Sequence, residues 1–206
     1  MELDGRACAK GSRGYMGCSP AKKVRDWRSA AALQYAAPMS SLLDERAMLR
    51  HTLATLAYRA EKVLRDPPSG FAQYKIGPSS RTPLEIVGHL GDLIEWAQSL
   101  ADGQRDWKAA SIGEWDAEVA RFFTALSRLD ERLASSTPLG KPAPLIFQAP
   151  IADAFTHVGQ LALLRGLAGK PVRPESYAGA EIEIGRVGRA QSEKRREFDG
   201  DASQRR

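Results

Sequence analysis

The chain has 206 residues, of which 27% are charged, and it carries a formal net charge of +5 at pH 7. Its length suits one domain with a substantial core and is too short for two. Residues 1–38 and 186–206 each hold seven Lys or Arg, whereas residues 39–185 hold 16 basic and 18 acidic residues. Because a folded nucleic-acid binder carries a basic face on its core, specific nucleic-acid binding is not expected.

Cysteine usage and hydropathy exclude several further classes. Cys8 and Cys18 are the only cysteines and have no second pair or histidine near them, which argues against a zinc ribbon and a disulfide scaffold. No window approaches the roughly 18 to 20 apolar residues that cross a bilayer. The N-terminus also lacks the apolar region of a secretory signal. We therefore expect a cytoplasmic protein with no membrane partner.

The composition predicts one central domain with a tail at each end. Residues 1–38 are rich in Gly, Ser, Ala and basic residues without periodicity, which is typical of a disordered extension. The sequence from Met39 resembles the natural start of a protein, so one hypothesis is that the extension results from the choice of translation start site. Intact mass of the natively expressed protein would test that hypothesis. The domain is expected over residues 39–188, and residues 189–206 are expected to form a charged disordered tail.

A first helix is predicted from about residue 41 to 65, where an apolar stripe ends before a Pro-Pro pair. His51 falls beside this stripe and is interpreted as a boundary histidine rather than a ligand. Residues 66–81 are rich in Pro, Gly and Ser and are expected to cover one end of the domain. Phe71 and Tyr74 are the side chains expected to hold this segment down.

The second helix has a strong predicted start. Thr82 is a candidate N-cap, Pro83 takes the first helical position, and Glu85 completes a capping box three residues after the cap. The helix is expected to run to about Ala101. A third amphipathic helix is predicted from about residue 112 to 135, with no good metal ligand on its apolar face.

Four prolines between residues 137 and 150 predict a stiff crossover rather than a strand. A fourth helix is predicted over residues 151–169, ending with Gly169 as its C′ residue. Trp107 is expected either to pack the connection before the third helix onto the domain or to line a pocket mouth. Tyr177 is interpreted as packing over hydrophobic surface, with a position in the pocket as the alternative.

The candidate chemistry lies in the second and fourth helices. Asp153 and His157 are four residues apart, so they lie on one face of the fourth helix and can approach a single point. His89 has apolar residues three before, four after and seven after it, which turns its ring towards the core. Glu85 and Asp92 either hydrogen-bond the second nitrogen of His89 or are solvated surface charges.

Two inward imidazoles and a carboxylate make a candidate divalent-metal site. An alternative is that both histidines are structural and that Asp153 is favoured in the first helical turn by the helix dipole. Between these lies a weaker site in which Asp153 supports His157 without binding the metal itself.

At these positions the chain resembles the DinB/YfiT-like metalloenzyme family. That family typically has one histidine in the second helix after a Thr-Pro start, and a His-x-x-x-His pair followed by Gly-Gln in the fourth helix. The chain departs from the pattern at Asp153, where the family most often has histidine. The positions that carry the resemblance are Thr82, Pro83, His89, Asp153, His157, Gly159 and Gln160.

The resemblance implies an all-α, DinB/YfiT-like four-helix bundle that binds a divalent metal ion, zinc, nickel or iron, through His89, Asp153 and His157. It also implies a metal-dependent S-transferase whose partners are a small-molecule thiol and an electrophilic substrate. A homodimer formed through a face of the bundle is a further expectation, which goes with the interaction module named below. Two other classes stay open. One is a metal-binding bundle with a sensing or stress role, and the other is a helical interaction module with structural histidines.

Overall fold

The computed structural model describes the backbone of residues 39–193 and 197–198, with side chains from residue 45 onwards. The predicted N-terminal extension lies outside the described residues, as does most of the predicted C-terminal tail. The described part of the chain is helical and contains no β-strand, so the predicted all-α fold class is confirmed.

Four long helical elements enclose one hydrophobic core. Both the first and the second pack against the third and the last. Within the described ranges, no helix combines the length and the apolar character needed to cross a membrane. The elements are α1 Met39–Leu64, α2 Pro83–Ala101, α3 Trp115–Ala134, the short α4 Ala143–Ile146, a π-helical turn Phe147–Ile151, and α5 Ala152–Leu167.

The start of α2 is fixed by the predicted capping box. The backbone N–H of Glu85 donates to Oγ1 of Thr82 over 3.2 Å, and the backbone N–H of Thr82 donates to Oε2 of Glu85 over 2.6 Å. These two bonds satisfy donors that a helix start otherwise leaves unpaired. The helix begins at Pro83 and ends at Ala101, as the sequence predicts.

Two glycines of α2 allow α3 to approach closely. A Cβ atom at Gly91 would lie 2.6 Å from Cζ of Arg121, so the guanidinium occupies the space that a larger residue would fill. Arg121 donates to the carbonyl oxygen of Gly88 over 2.6 Å and to Oδ1 of Asp92 over 2.9 Å. The same guanidinium also bonds Oε2 of Glu118. Arg121 therefore ties α3 to the turn of α2 that carries the candidate ligand His89.

The prediction of a stiff crossover between residues 137 and 150 is wrong for the second half of this segment. Residues 143–151 are helical and continue into α5 without a break. Pro144 is compatible with this because it lies at the start of α4, where a missing N–H costs no helical bond. Pro150 lies inside the π-helical turn. The hydrogen-bonded ring of such a turn is wider than that of an α-helix and accommodates proline, which has no backbone N–H to donate.

The predicted end of the last helix is confirmed. Gly169 adopts a left-handed backbone with φ of 81°, which glycine tolerates without a Cβ penalty. The N–H of Lys170 donates to the carbonyl oxygen of Arg165, and the N–H of Gly169 donates to that of Gly166. This is a Schellman motif. The guanidinium of Arg165 also donates to the carbonyl oxygen of Val63, which joins the end of α5 to the end of α1.

Part of the chain beyond α5 lies against α1. Nζ of Lys62 is 2.6 Å from Oε2 of Glu175 and 2.8 Å from Oε1 of Glu197. Tyr177 packs edge to face on Tyr58 with ring centroids 6.3 Å apart, which agrees with the packing interpretation of this residue. Glu197 belongs to the segment assigned to the tail, so contacts with the domain extend past residue 188. The domain boundary itself stays a prediction.

Candidate metal centre

The three predicted ligands come together between α2 and α5. Oδ2 of Asp153 is 3.8 Å from Nε2 of His89, and Oδ1 is 3.6 Å from Nε2 of His157. The two imidazole rings meet edge to face with centroids 4.7 Å apart. One ligand atom from each residue lies within 4.8 Å of the other two. The cluster could therefore hold a metal ion.

The spacing of the cluster can be compared with that of a loaded site. Zinc binds imidazole nitrogen at about 2.0 to 2.1 Å, which places two tetrahedral ligands roughly 3.3 Å apart. The carboxylate oxygens of Asp153 lie a few tenths of an ångström further than this from each imidazole nitrogen. Asp153 has room to adjust because its side chain is 48% exposed. All ligand-atom separations in the cluster lie within 4.8 Å. The donor set fits a divalent cation.

The π-helical turn sets which face of α5 carries the pair. It ends at Ile151, and Asp153 follows in the first turn of α5. A π-helical turn contains one extra residue, which rotates the following helix by about 100° relative to the preceding one. With this rotation Asp153 and His157 turn towards α2. Such turns are frequent at functional sites.

Gln160 fixes the orientation of one ligand. Its Oε1 lies 2.8 Å from Nδ1 of His157, one helical turn along α5. An amide oxygen accepts a hydrogen bond from the tautomer that carries its proton on Nδ1, and in that tautomer Nε2 is free to bind an ion. This is the tautomer that binds a metal, and the bond is of the kind that supports metal-bound histidines. The sequence indicates Gln160 only through the family resemblance.

Trp107 supports the other ligand. Its ring packs edge to face against His89 and against Trp96, with centroids 5.5 Å away in each case. The connection that carries it is held by Asp92, whose Oδ1 accepts a hydrogen bond from the backbone N–H of Ala110 over 3.2 Å. The prediction that Trp107 packs the connection onto the domain is thus the one the structure shows.

Neither Glu85 nor Asp92 hydrogen-bonds the second ring nitrogen of His89. The carboxylate of Glu85 accepts from the Thr82 cap, and that of Asp92 accepts from Ala110 and Arg121. Asp92 is also buried rather than solvated, so neither predicted role describes it. A sequence cannot show the Arg121 contact, because the two residues are 29 positions apart.

His89 is held in its neutral form. Burial lowers its pKa, and the neighbouring His157 and Arg81 lower it further, whereas Asp153 and Asp92 act in the opposite direction. A neutral imidazole is the form that offers a lone pair to a cation. The third histidine, His51, is exposed on α1, which agrees with its interpretation as a residue outside the site.

The cluster opens into a pocket of about 520 Å³. Three protein ligands that leave a side open towards a pocket are the arrangement of catalytic rather than structural metal sites. Ile76 and Leu163 line this pocket although both are more than half exposed. The lining residues besides the three ligands are Ile76, Ser80, Arg81, Ile86, Gln160, Leu163 and Leu164.

Comparison of the chain with protein-family models, with curated proteins and with solved structures finds no match.

Proposed function

We propose that the chain binds one divalent metal ion through His89, Asp153 and His157 and acts as a metal-dependent transferase of small-molecule thiols. The observation that carries this proposal is the convergence of three ligand atoms, from two helices, at a pocket large enough for a small substrate. Pockets of about 300 to 1,000 Å³ are typical of small-molecule sites.

The chemistry follows from the donor set. A metal ion bound there would make a coordinated thiol lose its proton at neutral pH and so supply a nucleophile. Other residues of the chain orient and shield the two histidines. Gln160 holds the ring of His157, and Trp107 covers one edge of His89. Residues 39–206 contain no cysteine. A thiol nucleophile at this pocket is therefore best supplied by a small molecule.

The resemblance to DinB/YfiT-like metalloenzymes supports the same proposal. It rests on the order and spacing of the Thr-Pro start, of His89 and of the ligand pair on the last helix. A carboxylate in place of one histidine keeps three ligands and makes the site harder. Harder donors favour iron(II) or zinc over soft cations such as copper(I).

The first experiment is elemental analysis of the full chain expressed with zinc, nickel or iron in the medium. We expect about one ion per chain in the wild type, and at least a tenfold loss in His89→Ala and in His157→Ala, because a three-ligand site cannot spare a ligand. His51→Ala is the matched control, since His51 is exposed on α1 and should leave the metal content unchanged. Unchanged metal content in both site variants would refute the assignment.

The second experiment measures turnover. Thiol consumption is followed with a panel of low-molecular-weight thiols and 1-chloro-2,4-dinitrobenzene as the electrophile. Metal-dependent consumption that is absent in His157→Ala supports the transferase. Full metal occupancy with no consumption for any thiol favours a metal-binding bundle without turnover.

One observation favours the structural alternative. Asp153 lies 3.8 Å from Nε2 of His89 and 3.6 Å from Nε2 of His157, so polar contacts within the triad can join α2 to α5 without a bound metal ion. In that case a protein free of metal should be as stable as one incubated with metal. A bound ion would instead raise the melting temperature, and the rise would increase with the logarithm of the ion concentration relative to its dissociation constant.

A further inference from the structure

Arg81 gives the pocket a positive charge at its rim. Among the described residues that line this pocket it is the one Lys or Arg. It stands close enough to the cluster to lower the pKa of His89. The residue is exposed, so its guanidinium is open to a ligand in the pocket.

The backbone around Arg81 is well held. On one side the hydroxyl of Ser80 accepts hydrogen bonds from the N–H groups of Ile76 and Gly77, each over 3.2 Å. On the other side Thr82 is fixed by the capping box of α2. Arg81 lies between these two fixed points, which places its side chain at the pocket without fixing its far end.

Other arginines of this protein are used internally. Arg121 bonds Asp92 and Glu118, and Arg132 bonds Asp102 and backbone carbonyls. By contrast, across residues 45–193 and 197–198 no carboxylate forms an ion pair with Arg81 and no group accepts a hydrogen bond from it. Glu85 feels its charge, but the carboxylate of Glu85 is bonded to the backbone of Thr82. Within this described part of the chain, the guanidinium of Arg81 therefore has no anion as a partner.

The charge of the pocket with a bound metal ion also favours a negatively charged ligand. A divalent ion held by one carboxylate and two neutral imidazoles keeps one net positive charge, and Arg81 adds a second. Part of the pocket wall is apolar, including the exposed side chains of Ile76 and Leu163. A ligand that neutralises the pocket and covers its walls has an apolar body and a negatively charged end.

We propose that the substrate of this centre carries a carboxylate, which Arg81 binds at the pocket rim while the reacting end of the molecule lies at the metal. The inference rests on the proposed metal centre. A carboxylate suits a single guanidinium because two parallel hydrogen bonds match its two oxygens. The exposed side chains of Ile76 and Leu163 then pack against the chain between the two ends.

The experiment uses two probes that share one metal-binding group. The full chain is loaded with Co²⁺, and its visible spectrum is titrated with hexanohydroxamic acid and with adipic acid monohydroxamate. The second probe differs by a terminal carboxylate, and homologues with four to eight carbons cover the span from the metal to Arg81. We expect the carboxylate probe of the best length to bind about fivefold more tightly, the size of a partly exposed charge-assisted contact.

The variant Arg81→Gln tests the assignment of that contact. It should lose the preference for the carboxylate probe, so that both hydroxamates bind with similar affinity, while each still changes the Co²⁺ spectrum. Arg128→Gln is the matched control, because Arg128 is exposed on α3 and does not line the pocket. This control should keep the preference, which separates a local contact from a change in net charge.

Two outcomes would overturn the inference. Equal affinities for neutral and carboxylate probes at every chain length would show that the rim does not select an anion, and a preference that persists in Arg81→Gln would place the anion elsewhere. If neither hydroxamate alters the Co²⁺ spectrum, the metal centre itself is wrong and the inference falls with it. That failure differs visibly from a failure of Arg81 alone.

Discussion

Two polar clusters of this domain differ in how far their side chains are buried and paired with each other. On α1, Lys62 and Glu175 have side chains only 3% and 0% exposed, and the ammonium is shared with Glu197. In the candidate metal centre, Asp153 is 48% exposed and its oxygens lie 3.6 to 3.8 Å from two imidazole nitrogens. The α1 cluster is closed by charges of the protein itself. In the candidate metal centre the three side chains face a pocket, which would leave an open side on an ion held there.

The largest effect is expected from opening the closed cluster. Lys62→Met removes the ammonium that neutralises Glu175, and breaking a buried pair in this way should cost about 3 to 5 kcal/mol in the free energy of unfolding. Urea denaturation measures the loss, and the metal content of the variant that remains folded should not change. Lys170→Met is the control, because Lys170 lies near the same cluster and is exposed. A loss below about 1 kcal/mol would show that the buried pair contributes little.

A smaller effect is expected from loosening the metal centre. Gln160→Ala removes the acceptor at Nδ1 of His157 and should weaken metal affinity about 10- to 100-fold, as loss of such support usually does. Competition with a chelator of known affinity measures the change. Thr156→Ala, on the outer side of α5, should leave the affinity as it is. Equal affinities in all three proteins would mean that the bond to Gln160 does not orient a ligand.

A still smaller effect is expected from removing the capping box at the start of α2. Thr82→Ala leaves the N–H of Glu85 without its acceptor and should cost about 1 kcal/mol of unfolding free energy. Because this box fixes the start of the helix that carries His89, metal affinity should fall together with stability. Thr82→Ser keeps the acceptor and should restore both. Full stability in Thr82→Ala would contradict the role of the cap.

The smallest effect concerns pH. In metal-free protein the pKa of His89 is lowered from its ordinary value of 6.5, mainly by burial. The unfolded chain therefore takes up this proton at a higher pH than the folded chain does. The stability that the neutral ring contributes is complete above pH 6.5 and is lost as the pH falls from there through the lower folded pKa. Denaturation of wild type and His89→Gln between pH 7.5 and 5 should show a steeper decline in the wild type, and parallel curves would contradict the shift.

Much of this architecture was predictable because the deciding signals are local. The capping box of α2 and the glycine at the end of α5 are fixed by neighbours along the chain. The position of Asp153 and His157 on one face follows from helical periodicity alone. The convergence of His89 with that pair was predicted from its apolar surroundings on α2, and the structure brings the three together.

The missed features depend on contacts between distant residues. The helical run over residues 143–151 was missed because prolines usually end a helix, and nothing local indicates a π-helical turn that tolerates Pro150. Asp92 was assigned to the surface or to His89, yet its partner Arg121 comes from α3. The sequence alone does not single out Arg81, because an arginine just before a helix start is common and only the folded chain places this one beside a pocket.

X-ray absorption at the zinc edge of the zinc-loaded full chain tests the metal centre most directly. We predict two imidazole nitrogens and at least one oxygen at about 2.0 to 2.2 Å, the distances of histidine and carboxylate ligands. In His157→Ala the same zinc should show at most one imidazole. A wild-type spectrum with no imidazole scattering, or one that is unchanged in His157→Ala, would show that the ion binds elsewhere.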